Sequence, residues 1–111
     1  MNRITVADFE RVEMRVGRIV QVEDFPKARK PSYRLLIDFG PYGTRRSAAA
    51  VRPFYTREEL LGRQVVAVTN FPPRRIADFE SEVLVLGAVE HGGRIVLLRP
   101  DAEAELGAWI A

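Results

Sequence analysis

Residues 12–22 read VEMRVGRIVQV, and this stretch decides the fold. Apolar and charged side chains alternate from Val12 to Val16, and the apolar pattern returns after Gly17 as far as Val22. Such alternation predicts one long strand. Because a glycine within a strand commonly marks a bulge or a bend, Gly17 is predicted to bend this strand so that it serves both halves of a small barrel.

The rest of the chain predicts the other elements of that barrel. A short helix begins after Thr5, and strands are predicted over 33–39, 44–51, 64–70, 82–89 and 94–98. A second short helix begins after Thr56, between the third and fourth strands. This order predicts a mainly all-β fold, a five-stranded Greek-key barrel of the oligonucleotide-binding type with short helices and extra terminal elements, as a single domain over residues 1–111.

The composition is that of one folded globular domain. Of 111 residues, 47% are hydrophobic and 29% are charged, so the chain lies outside the disordered class. The absence of cysteine excludes disulfides and thiolate metal sites. The apolar runs are too short to span a membrane and no secretion signal opens the chain, so we expect a cytoplasmic protein without membrane insertion.

Positive charge is concentrated in the middle of the chain. Residues 27–75 contain eleven Lys or Arg and three acidic residues, although the net charge of the whole chain is only +2. Fifteen of the seventeen basic residues are arginine, whose planar fork of donors suits phosphates. Arginine enrichment can equally reflect a GC-rich genome or a hot habitat, so the clustering is the stronger indication of a polyanionic partner.

Two of the later strands are apolar on both faces. In the segments 83–86 and 95–98 apolar residues occupy both alternating positions, although a barrel interior covers only one face. We predict that a second copy of the chain covers the other face in a homodimer. The alternative is that the N-terminal helix with Phe9 and the tail with Trp109 and Ile110 fold back on their own barrel.

The sequence contains no constellation of catalytic residues. The single histidine, His91, lies in a predicted turn next to two glycines, and Asp24 and Asp38 stand at strand ends without a partner pattern. No phosphate-binding glycine loop and no nucleophile motif is present. The chain is therefore not expected to be an enzyme or to hold a metal or a cofactor.

The stretch NFPPRRIADFESEVLVLG, residues 70–87, places two prolines beside two arginines. The prolines predict a stiff loop that presents Arg74 and Arg75 at little entropic cost. The alternative is that the arginines only keep the following apolar strand soluble. Phe71 and Phe79 are candidates for stacking on nucleic-acid bases, with packing in the core as the alternative.

This stretch resembles the signature of the tRNA-binding domain family, whose typical form is Asn-Leu-x-Pro-x-Lys/Arg-Ile/Leu-x-Gly-x-x-Ser-x-Gly/Glu-Met/Val-Leu. Segments 9–20, 25–33, 37–40 and 96–101 are similar to the stand-alone CsaA branch of that family, which is described as an export-related chaperone. The resemblance implies a homodimeric barrel without catalytic activity or cofactor. It implies tRNA as the partner. The alternative function is the holding of unfolded or exported polypeptides in apolar grooves near the dimer interface.

Carried over by position, the resemblance implies that Asn70, Arg74, Arg75, Ser81 and Glu82 shape the tRNA-binding loop and rim. Within this set, the arginines would contact phosphates, while Asn70 and Ser81 would brace the loop. The basic segment adds four further candidates for tRNA binding: Arg29, Lys30, Arg34 and Arg46.

The chain departs from the family pattern at two places. Residues 46–50 read Arg-Ser-Ala-Ala-Ala where relatives commonly have Gln-Ser-Ser-Ala-Gln, and Asp78 stands where many relatives have Gly. Both departures remove features that favour base-specific contacts. We therefore expect recognition through phosphates and shape.

Overall fold

The computed structural model describes all residues, 1–111, and shows the predicted mainly β architecture. The five-stranded antiparallel sheet has the order β3-β2-β1-β4-β7 and forms a nearly closed barrel, while β5-β6 and β8-β9 form separate hairpins. The predicted barrel is confirmed. In chain order the elements are α1 Val6–Glu10, β1 Met14–Asp24, β2 Tyr33–Asp38, a 3₁₀ turn Gly40–Tyr42, β3 Thr44–Ala49, α2 Arg57–Leu60, β4 Gln64–Val68, β5 Arg74–Ile76, β6 Phe79–Ser81, β7 Leu84–Val85, β8 Gly87–Val89 and β9 Ile95–Leu97.

Strand β1 belongs to both halves of the barrel, as predicted. Residues 14–18 pair with β4, and residues 18–24 pair with β2. The predicted position of the bulge at Gly17 is wrong, because the register shift lies between Ile19 and Gln21. The extra residue there lets β1 bend from one partner strand to the other.

Gly17 has a different role, which is to leave room for the core. A Cβ at this position would lie 2.5 Å from Cγ2 of Ile37 and 2.7 Å from Cε1 of Phe39. Both of these side chains are fully buried. Glycine therefore allows the backbone of β1 to lie directly against the largest side chains of the barrel interior.

The core is formed by the inward-facing side chains of the strands. Along β2, Tyr33, Leu35 and Ile37 are buried, and the residues between them are partly exposed. All of β4 is buried, and Leu60 of α2 is completely enclosed at one end of the barrel. The capping box that Thr56 forms at the start of α2 matches the prediction. The outer face of β2 and β3 is thus left to side chains that do not contribute to the core.

The prediction of one continuous strand over 82–89 is wrong, because this segment forms two short strands, β7 and β8. Strand β7 pairs with β4, whereas β8 pairs with β9. Between them, the N–H of Leu86 donates to the carbonyl of Val66 at 2.9 Å, and its own carbonyl accepts from the N–H of Leu98 at 3.1 Å. One apolar segment therefore contributes to two sheets.

The two ends of the chain differ in how they contact the barrel. Every residue of α1 is exposed, although its capping box forms as predicted. The tail lies along β1, where Trp109 pairs with Arg15 and the N–H of Ile110 donates to the carbonyl of Met14 at 3.0 Å. Trp109 nevertheless stays 57% exposed. None of the helices has the length and apolar character needed to cross a membrane.

Candidate functional site

The arginines of the stretch 70–87 lie on a strand, so the prediction of a loop at this position is wrong. Residues 74–76 form β5, which pairs with β6 in a short antiparallel hairpin, and the two prolines lie exposed just before it. The hairpin turn consists of Ala77 and Asp78, and Ala77 has a φ of 53°. Positive φ in such a turn normally calls for glycine or asparagine. The hairpin therefore has no recognisable turn signal in the sequence.

Phe79 packs the hairpin against the barrel. Its ring is buried, and its centroid lies 5.5 Å from that of Phe25. Cζ of Arg34 and Cζ of Arg46 lie 5.9 and 5.4 Å from the same centroid, within the range of cation–π attraction. Of the two alternatives for Phe79, the structure supports the core position. This ring is not available for stacking on a base.

An ion pair joins the tip of the hairpin to the loop between β1 and β2. Nζ of Lys27 lies 3.0 Å from Oδ2 of Asp78, and both side chains are more than half exposed. The hydrogen bond from Lys27 lowers the pKa of the Asp78 carboxyl below its ordinary value of 3.8. Because the pair is exposed, its contribution is small and weakens with salt.

Ser81 and Glu82 complete the edge of β3 by accepting hydrogen bonds from its backbone. The N–H of Ala48 donates to Oγ of Ser81 at 3.0 Å, and the N–H of Arg46 donates to Oε1 of Glu82 at 2.9 Å. The backbone N–H of Glu82 in turn donates to the carbonyl of Arg46 at 2.8 Å. These side chains therefore satisfy backbone groups where the barrel closes.

Asn70 joins the end of β4 to the segment that enters β1. Its Oδ1 accepts from the N–H of Glu13 at 2.9 Å, and its Nδ2 donates to the carbonyl of Arg11 at 2.8 Å. Both polar ends of the amide thus have backbone partners. These contacts agree with the bracing role expected of Asn70, but they place it on the barrel side of the loop and not beside the arginines.

A groove lies beside β3, β5 and β7. Arg29, Lys30 and Arg74 line its larger part, a cavity of about 420 Å³, and Phe71 lines its smaller part, of about 180 Å³. The two parts share Ala48, Arg74, Ile76 and Leu84, so they lie side by side, and together they are termed the Arg74 groove. The rest of its lining is mostly apolar: Ala28, Ser32, Ala49, Ala50, Val51, Pro72, Ser81, Glu82, Val83, Val85, Ile95 and Leu97.

The groove contains some of the predicted site residues and leaves others outside. Arg34 and Arg46 contact Phe79, and Arg75 lies 3.5 Å from Glu80 across the hairpin. The apolar floor was not among the residues predicted to bind tRNA. The sequence pattern that indicates it is the presence of apolar residues at both alternating positions in the segments 83–86 and 95–98. The groove brings together five predicted residues: Arg29, Lys30, Arg74, Ser81 and Glu82.

Most of the basic residues in the segment 27–75 are free of internal ion pairs. Seven of the eleven have no carboxylate oxygen within 4.0 Å, and these seven include all three basic residues of the Arg74 groove. The positive charge is thus only partly neutralised by the protein. The four that are paired are Lys27, Arg46, Arg52 and Arg75.

The acidic residues do not form a metal centre. No group of three or more His, Asp or Glu side chains is arranged to hold a metal ion. His91 is exposed in the turn between β8 and β9.

Comparison with known proteins identifies relatives along nearly the whole chain. Residues 14–109 match the family model described as "Putative tRNA binding domain". The fold superposes on the crystal structure of chaperone CsaA from Bacillus anthracis with a TM-score of 0.94 and 44% identity, covering 99% of this chain and 100% of that one. For the CsaA chaperone protein from Picrophilus torridus the TM-score is 0.92 and the identity 46%, covering 98% and 100%.

Similarity extends to part of a much larger enzyme. The methionine–tRNA ligase of Pyrococcus furiosus is 37% identical over 110 residues, which amount to 99% of this chain and 15% of the ligase. The chain thus spans only a small part of the curated ligase that it matches.

Proposed function

The chain belongs to the tRNA-binding domain family, and from that premise we propose that it binds tRNA through the Arg74 groove without catalysing a reaction. The observation that carries this proposal is the position of Arg29, Lys30 and Arg74, which line one cavity and have no carboxylate partner. Cations that are not neutralised internally are available to the phosphates of a nucleic acid. Arg34, on the neighbouring face of β2, also has no carboxylate partner and would extend the contact. Arg46 on β3 would do so by exchanging Glu82, 3.6 Å away, for a phosphate.

Contacts to phosphates are favoured over contacts to base edges. On β3, Oγ of Ser47 donates to the carbonyl of Val83 at 2.8 Å, so this hydroxyl is already engaged. The alanines that follow offer no polar side chain to a base. Phosphate contacts position a nucleic acid but do not read its sequence. We therefore expect the groove to discriminate little between tRNA species.

Removing two groove charges tests this proposal. We expect Arg29→Ala/Arg74→Ala to weaken tRNA binding by on the order of tenfold or more at physiological salt. The matched control is Arg3→Ala/Arg57→Ala, which removes two exposed arginines that lie outside the groove and have no ion-pair partner. Equal loss of affinity in both variants, or in neither, would show that the groove is not the tRNA site.

A second copy of the chain is proposed to cover the remaining apolar face. Met14, Val66, Leu86, Leu98 and Trp109 line one open cavity of about 470 Å³, and Leu98 is 44% exposed. Twofold pairing of this face would bury it, as in obligate homodimers. Sedimentation equilibrium should show a dimer that Trp109→Glu dissociates, while Leu61→Glu, an exposed leucine elsewhere, should leave the dimer intact.

An unfolded polypeptide is the second candidate ligand. The floor of the Arg74 groove is apolar, and the solved structures from Bacillus anthracis and Picrophilus torridus are described as chaperones. Apolar grooves accept extended peptide segments. Competition between tRNA and an unfolded protein would show that the two share one surface, and independent binding would place the polypeptide elsewhere.

A further inference from the structure

We propose that the Arg74 groove takes two successive unpaired nucleotides of RNA, with one base stacked on Phe71 and the next enclosed in the larger cavity. This inference rests on tRNA binding and adds that the segment in the groove is single-stranded. Three observations support it: an exposed aromatic ring, an apolar cavity and an unpaired arginine between them.

Phe71 provides the exposed ring. It is 47% exposed and lines the smaller part of the groove, whereas the rings of Phe25 and Phe79 are buried. Its backbone is restrained on both sides, because Asn70 makes two hydrogen bonds to the barrel and two prolines follow. A ring that is held in place loses little conformational freedom on stacking, and any base offers it a flat face.

The larger cavity provides an apolar enclosure. Hydrophobic residues make up ten of the fourteen that line it, and its volume of about 420 Å³ lies within the range of small-ligand sites. Its only hydroxyl, that of Ser32, already donates to the carbonyl of Lys30 at 2.8 Å. The apolar lining of the cavity can therefore bury the flat face of a base.

Arg74 lies at the junction of the two parts of the groove. It lines both of them and has no carboxylate partner, so its guanidinium can contact the phosphate that joins the two nucleotides. Arg29 and Lys30 line the larger part from a different segment, the loop between β1 and β2. Three free cations beside an apolar floor match a chain of regularly spaced phosphates better than a polypeptide.

The segment must be unpaired for its bases to enter. In an A-form duplex the bases are stacked and paired inside the helix, and recognition is confined to the backbone and the shallow minor groove. Only a loop, a bulge or a chain end can present two bases to a groove of this kind. The proposed site therefore distinguishes single-stranded from double-stranded RNA.

The experiment uses a single-stranded RNA hexamer that contains 2-aminopurine, a hexamer made only of abasic residues, and a blunt RNA duplex. The proteins are the full chain, Phe71→Ala, Phe71→Leu and Phe54→Ala. Phe54 is 37% exposed and lines a separate cavity, so it is the matched control. We expect the full chain to quench the 2-aminopurine, and Phe71→Ala to weaken hexamer binding about tenfold.

Further results separate stacking from other effects of the substitution. Phe71→Leu should lose nearly as much affinity for the hexamer as Phe71→Ala, because leucine lacks the planar ring. Phe54→Ala should bind the hexamer as tightly as the full chain does, and neither Phe71 variant should change its affinity for the duplex. The hexamer of abasic residues should bind Phe71→Ala and the full chain with similar affinity, since it offers no base that could stack on the ring.

The proposal is overturned if Phe71→Ala binds the hexamer as tightly as the full chain does, or if the duplex competes as well as the hexamer. It is also overturned if Phe71→Ala loses affinity for an unfolded polypeptide but not for RNA. These failures leave tRNA binding intact as long as Arg29→Ala/Arg74→Ala still weakens tRNA binding. Loss of that effect would instead refute the proposed function itself.

Discussion

Replacing Arg74 by alanine should change how strongly tRNA binding depends on salt. Arg74 is exposed and has no ion-pair partner, so the substitution removes one cation without leaving an unpaired carboxylate. Neutralising a phosphate releases condensed counterions, and the logarithm of the binding constant therefore falls linearly with the logarithm of the salt concentration. The slope of that line counts the phosphate contacts.

The structure sets the expected slope. Each contact contributes about 0.9 to the slope for duplex nucleic acid and about 0.7 for single strands. The three groove cations alone give a slope of about −2 to −3, and all seven free basic residues of the segment 27–75 would give about −5 to −6. Arg74→Ala should make the slope shallower by about 0.7 to 0.9, which at about 0.15 M salt, relative to 1 M, is a loss of about four- to sixfold in affinity.

Fluorescence anisotropy of labelled tRNA, titrated at several salt concentrations, measures this slope. Arg57→Ala is the control, because Arg57 is also exposed and free of ion pairs but lies outside the groove. Arg75→Ala should have a smaller effect, because Glu80 already lies 3.5 Å from Arg75. A slope that does not change in Arg74→Ala, or that changes equally in Arg57→Ala, would refute the assignment of Arg74 to a phosphate.

Four further changes test the scaffold around the groove. Asn70→Ala should lower the free energy of unfolding by about 1–3 kcal/mol in denaturant titration, because two backbone groups ahead of β1 lose their partner; an unchanged value would argue against bracing. Gly17→Ala should lower it by about 1–3 kcal/mol, because the added Cβ overlaps two core side chains; a neutral effect would mean that the core yields freely. Ala77→Gly should raise the free energy of unfolding by up to about 1 kcal/mol, and with it the melting temperature, since glycine tolerates a φ of 53°. A lower melting temperature would contradict strain at this turn. Basic partners lower the pKa of the Asp78 and Glu103 carboxyls, so the folded chain binds fewer protons than the unfolded chain at acidic pH. The stability that these two carboxylates contribute should be fully present above their ordinary pKa values of 3.8 and 4.5, and it should be lost as the pH falls through the lowered values. Unfolding curves that coincide at about pH 7 and about pH 3 would exclude this linkage.

The barrel was predictable because apolar side chains recur at every second position along its first two strands. Alternation in the segments 12–22 and 33–39 indicates a long shared strand and its neighbour, and both are present. The β5-β6 hairpin was not predictable, since its strands have three residues each and Ala77 occupies the position of positive φ. The break between β7 and β8 at Leu86 was also not predictable, because an apolar residue at which the chain passes from one sheet to another looks the same in the sequence as one that stays within a sheet.

The chemical types of the site residues were predictable, but their arrangement was not. The charge asymmetry indicated a basic surface, yet Arg29 and Arg74 lie 45 positions apart in the chain, and only the closed barrel brings them to one cavity. Internal pairing of Arg75 with Glu80 depends on hairpin register, which the sequence does not specify. Bracing by Asn70 was expected, but its partners ahead of β1 follow from the fold.

The closure at β3 has a consequence for the behaviour of the chain in concentrated solution. A strand at the margin of a sheet presents unpaired N–H and C=O groups, onto which a strand of another molecule can add. Here the N–H groups of Arg46 and Ala48 are occupied by the side chains of Glu82 and Ser81. Substituting these two side chains by alanine would free both N–H groups to pair with a strand of another molecule, so signature positions that resemble ligand contacts also limit edge-to-edge association.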